Sequence, residues 1–169
     1  MAEQTTKPTP VPRKRPRRAA ASAEPPAVPD APALARGRTP PIDPREQHEL
    51  LHRGVALFNG FRYWHAHEAW ETLWRAADDE ERDFYQGLIM LAAGLLHLQR
   101  RNGRGARNKL SEGLAKLRRY EPTHQGMFLT ELVARCSLIL DDLNKGLLPY
   151  LIPPVIRFVA IERAQDFNR

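Results

Sequence analysis

Histidine and glutamate recur inside an aromatic stretch, Phe61-Arg-Tyr-Trp-His-Ala-His-Glu-Ala-Trp-Glu-Thr-Leu-Trp74, and these residue types could bind a metal or move a proton. An α-helix turns about 100° per residue, which places Tyr63, Trp70 and Trp74 just to one side of His67, and Glu71 and Trp64 just to the other. His67 and Glu71 therefore share the apolar face. A buried imidazole and carboxylate are costly unless paired, hydrogen-bonded or metal-bound, so the placement calls for partners from elsewhere in the fold. Glu68, turned about 100° from His67 toward Arg75, reads as a rim residue and is the candidate general base. Glu71 stands where His-Glu-x-x-His would have its second histidine, so the zinc-protease signature is not met.

The partners are sought in the next helix. Gln86 and His97 return to within about 20° of each other on a helix, with Ala93 between them and Met90 nearby. Gly87 and Gly94, one turn round, would let a second helix approach closely, and a short loop makes helix two the natural neighbour. This predicts one internal cluster of His67, Glu71, Gln86 and His97. As a metal site it would use His67, Glu71 and His97 as three ligands with an open position, giving a metal-dependent hydrolase or nuclease-like enzyme with Glu68 as base. The plainer reading is a satisfied hydrogen-bond network that locks two helices together. That reading leads, and it makes the chain a binding or interaction module whose cofactor is open beyond a possible divalent metal.

Other ionisable residues carry less. Arg62 to His67 and Arg119 to His124 share the Arg-x4-His spacing of some helical ribonucleases, at a frequency close to chance. His65 points about 160° from His67, and His48 and His52 form an i,i+4 pair that reads as exposed. Arg104, Arg107 and Arg118 lie on one flank of helix four as a candidate anion-binding surface, against the plainer reading of a solvated face. The few aromatics nearby weaken a single-strand-binding role.

These residues must be held by helices. Asp43, Pro44 and Glu46 predict a capping box opening helix one, which runs to about Phe58. Asn59-Gly60 breaks the chain before helix two (62–76). The cluster Asp78-Asp-Glu-Glu81 suits the start of helix three (81–100), which is apolar almost all round from Leu88 to Leu96 and so is predicted to be the axis of the core. Asn102-Gly103 precedes helix four, which reaches about Tyr120 and is stopped by Pro122; helix five spans 126–143. The expected fold class is all-α: a compact bundle of about five helices over residues 42–146, followed by an extended strap and tail over 147–169. Two hairpins joined through Asn-Gly hint at a repeated unit, but the residues after each break align poorly and two units are too few for an array.

Composition separates this domain from what precedes it. Eleven of the 15 prolines fall before residue 45, without apolar periodicity, so residues 1–41 are predicted to be a disordered basic Pro/Ala-rich tail. That tail holds 8 Lys/Arg against 3 Asp/Glu, whereas residues 42–169 hold 18 against 17. Nucleic acid or a protein partner could engage the tail through sequence-independent electrostatics, against the plainer reading of a solubilising segment. No apolar h-region follows its charges, and the run Leu88–Leu96 is about half the length that spans a bilayer. A single cysteine, Cys136, fits a reducing, cytoplasmic setting and reads as core filling.

The blocks Phe58-Asn-Gly-Phe-Arg-Tyr-Trp-His-Ala-His-Glu-Ala-Trp-Glu-Thr-Leu-Trp74, Phe84-Tyr-Gln-Gly-Leu-Ile-Met-Leu-Ala-Ala-Gly-Leu-Leu-His97, Asn102-Gly-Arg-Gly-Ala-Arg107 and Leu117-Arg-Arg-Tyr120 arrive in a recognisable order. Over about residues 45–121 the chain resembles the bacterial and archaeal domain-of-unknown-function family numbered 309. The resemblance implies a compact all-helical domain, with hallmark residues falling on His67, Glu68, Glu71, Trp74, Gln86, Gly87 and His97. The family has no established activity, so the resemblance implies one site without naming its chemistry.

Overall fold

The computed structural model describes residues 40–147, 149 and 152–159. The expected disordered tail, up to residue 39, and the last ten residues of the expected strap and tail lie outside the described residues. Five helices dominate the rest: α1 (Pro44–Asn59), α2 (Tyr63–Ala76), α3 (Asp79–Gln99), α4 (Gly103–Leu117) and α5 (Leu129–Asn144). The all-α bundle follows from consecutive amphipathic helices that must each bury one stripe.

Helix starts follow local side-chain chemistry. Asp43 caps α1 by accepting from the Arg45 N–H at 2.8 Å, with Pro44 in the first turn where its missing N–H costs nothing. The bond reaches Arg45, one residue short of the capping-box partner. Asp78 caps α3 through the Glu81 N–H at 2.9 Å, so α3 begins at Asp79 and Asp79, Glu80 and Glu81 occupy its first turn. Asn102 caps α4 through the Gly105 N–H at 2.9 Å.

Every residue from Gly87 to His97 is buried, and α3 packs against both α2 and α4. The α3–α4 contact is close because it is built on glycine. A Cβ on Gly87 would lie 2.7 Å from Leu117 Cγ, and one on Gly113 would lie 2.9 Å from Leu91 Cδ2 and 3.0 Å from the Gly87 carbonyl oxygen. Gly94 likewise faces Leu110. These glycines therefore seat α4 and not α2, contrary to the sequence expectation.

Helix α4 ends at Leu117, and a 3-10 turn (Arg118–Tyr120) carries the chain on to Pro122. A small hairpin then delays α5 to Leu129, three residues later than predicted. Strands β1 (Thr123–His124) and β2 (Met127–Phe128) pair antiparallel about Gln125 and Gly126, both with positive φ (48° and 72°), the conformation of a two-residue primed turn. Strand β3 (Arg157–Phe158) adds to β2. Just before it, Ile156 is clamped by Asn59: the Asn59 amide donates to the Ile156 carbonyl at 2.9 Å and accepts its N–H at 2.8 Å.

Candidate functional site

His67 sits on α2 with only 6% of its surface exposed. Its ring stacks on Trp64, three residues earlier and therefore on the same side, with centroids 5.6 Å apart and planes at 4°. Glu71 and Arg75 extend that side at successive i,i+4 steps. The Arg75 guanidinium donates to Glu71 Oε1 at 2.7 Å, while Glu71 Oε2 stands 4.0 Å from His67 Nδ1. That separation is beyond a hydrogen bond, and His67 Nδ1 is one of two buried side-chain polar atoms without a partner among the described residues. The other is Trp70 Nε1, pressed against Gly54 of α1. Burial pushes the His67 pKa below 6.5, while Glu71 and then Glu68 pull the other way; the ring is mainly neutral at pH 7.

The four-residue cluster is not assembled in this form. Helices α2 and α3 run antiparallel through the short turn at Ala77 and Asp78, so the residue level with His67 lies near Leu88. At 1.5 Å rise per residue, His97 is then about 13 Å further along the axis. It is occupied at the α3–α4 corner, where Asn102 Nδ2 lies 3.1 Å from His97 Nδ1. Because Asn102 Oδ1 already accepts the Gly105 N–H, the amide is oriented to donate and the imidazole to accept. Gln86, half-buried on α3, makes no hydrogen bond to His67 or Glu71. Among the described residues no three His, Cys, Asp or Glu side chains form a group that could hold a metal, so His67, Glu71 and His97 do not converge as the three-ligand set.

Trp74 is buried, with the Arg82 guanidinium 4.2 Å above its ring, which joins the end of α2 to the start of α3. Glu68 faces away from His67, into a separate groove of about 350 Å³ between α1 and α2, shared with Arg53, Arg62 and His65. The candidate base therefore does not address the imidazole beside it in sequence. Sequence reasoning passed over Arg53 and set His65 aside; their signal was the spacing Arg62, His65, Glu68 along one face of α2, opposed by Arg53 across the α1–α2 hairpin.

The arginines of α4 divide. Arg107 donates to the Leu143 carbonyl at 2.7 Å and Arg118 to Ser137 Oγ at 3.4 Å, so both tie α4 and its following turn to α5. Arg104 is exposed and borders a cavity of about 250 Å³ next to His97. Cys136 is fully buried, and burial pushes its thiol up to about 12, which removes it as a nucleophile at neutral pH. No described helix is long and apolar enough to cross a membrane.

Residues 51–108 match the model of the family described as a domain of unknown function, DUF309. The matched span contains His67, Glu68, Glu71, Trp74, Gln86, Gly87 and His97. No curated protein matches the chain.

Proposed function

Residues 51–108 match the DUF309 family model, and we propose that the chain is a binding module whose recognition group is the His67 imidazole, oriented by Glu71 and Arg75. The observation that carries this reading is the unpartnered buried Nδ1. A buried polar atom without a partner costs about 1–3 kcal/mol, and His97 supplies the contrast, because its Nδ1 has Asn102 opposite it. The cost at His67 is consistent with a group kept for a ligand. Arg75 fixes the carboxylate, and the carboxylate favours the proton on Nδ1, which leaves Nε2 with a lone pair to accept from a ligand donor. A closure of about 1 Å between Glu71 and His67 would complete the Nδ1–H bond once a ligand is held.

Thermal unfolding and nitrogen-15 NMR test the reading. His67→Leu, which keeps the apolar volume and removes the unpartnered atom, should stabilise the free protein by about 1 kcal/mol. Destabilisation instead would mean that the imidazole organises the core. The His67 ring should carry its proton on Nδ1, and the opposite tautomer sinks the proposed orientation.

The tail supports a second contact. Residues 1–41 hold 8 basic against 3 acidic residues, a charge excess that attracts polyanions without reading their sequence.

A further inference from the structure

We infer that the groove between α1 and α2 is a binding site for a small phosphomonoester that also carries a hydroxyl group, a site separate from His67. Arg53 contributes from α1, and Arg62, His65 and Glu68 from α2, around a cavity of about 350 Å³ floored by Leu57 and Ala69. That volume falls at the small end of ligand pockets.

What singles out the groove is how its charges are left. Arg53 and Glu68 stand at the same level of the antiparallel hairpin, yet they form no ion pair, and none of the four polar side chains has a hydrogen-bond or ion-pair partner among the described residues. Other carboxylates on α1 and α2 are engaged one turn along their own helix, Glu49 by Arg45 and Glu71 by Arg75, whereas Glu68 is left open to the groove. Three basic groups round one cavity suit a dianion, and two guanidinium forks match phosphate oxygens in pairs. Glu68 repels the phosphate itself but accepts from an adjoining hydroxyl, which makes the ester's alcohol part of the recognition. Leu57 and Ala69 offer apolar contact to its carbon skeleton.

The experiment is a titration of the full chain, followed by calorimetry and by the His65 ring signals, with ribose 5-phosphate, inorganic phosphate, ribose and a single-stranded RNA 12-mer. Ribose 5-phosphate should bind saturably and shift His65 while ribose does not. Arg53→Gln and Arg62→Gln, both at exposed positions, should each weaken it at least about tenfold. Glu68→Gln should weaken ribose 5-phosphate and leave inorganic phosphate equal or tighter.

Absence of saturable binding, or a His65 shift that survives both arginine variants, overturns the site. Inorganic phosphate binding as tightly as the ester overturns the hydroxyl contact. RNA that shifts the His65 ring at lower concentration than ribose 5-phosphate does, in the full chain and equally after deletion of residues 1–41, overturns the small-molecule assignment in favour of a nucleic-acid surface. The readout is His65 and not His67, so a negative result here leaves the His67 proposal standing.

Discussion

A neutral imidazole held in an apolar site makes the free protein sensitive to mild acid. Burial lowers the His67 pKa from 6.5, so below pH 6.5 the unfolded chain takes up a proton that the folded chain resists. Stability is therefore full above 6.5 and falls as the pH drops toward the lowered folded value. His52, also lowered by burial and then by His48, acts in the same direction. Chemical denaturation between pH 7.5 and 5 should show this slope, and His67→Leu should flatten it; an unchanged slope would mean that His67 is not the titrating group. Cys136 gives a second residue-scale prediction: iodoacetamide should leave it unmodified in the native protein at pH 8 and modify it after unfolding, as judged by mass spectrometry. That His67 and Glu71 lie toward the core was legible from angular spacing alone. Their supposed partners were not, because a helical wheel projects out the axis. Gln86 and His97 share a face but are about 16 Å apart along it.

At the scale of elements, glycine sets the distance between α3 and α4. Gly87→Ala should cost about 1–3 kcal/mol, because the new methyl meets Leu117 and the Gly113 backbone in a filled core. Gly103→Ala, whose nearest obstacle is Leu143 Cδ2 at 3.8 Å, should change stability by about 1 kcal/mol or less, and equal melting-temperature losses in both variants would contradict the close-approach account. Helix breaks were readable because Asn59-Gly60 and Asn102-Gly103 punctuate the pattern, and Asn102 does cap α4. The hairpin before α5 was not, since two-residue strands are too short to show an alternation, and Gln125 carries a positive φ that its residue type does not announce. The glycines on α3 were noticed as a close-packing surface, but sequence order favoured the wrong neighbour.

For the whole molecule, contacts of long sequence separation decide how the last described segment is held. The Asn59 amide makes both of its hydrogen bonds to Ile156, which is 97 residues away. Asn59→Ala should cost about 1–3 kcal/mol and speed hydrogen exchange at the Ile156 N–H; unchanged exchange there would show that β-pairing, the burial of Ile156 and the stacking of Phe158 on His52 secure the segment without the clamp. The basic tail makes a separate prediction. Full-length protein should bind single-stranded RNA with affinity that falls steeply between 50 and 200 mM salt, on the order of tenfold or more, and deletion of residues 1–41 should remove that dependence. No binding in either form would end the polyanion reading of the tail. The Asn59 clamp also has a meaning in time. Asn59 leaves the ribosome 97 residues before Ile156, which at roughly 5–20 residues per second is a delay of about 5–20 s. For that interval the turn between the first two helices must hold its shape on local bonds, and the nascent helices wait for the clamp that closes over them.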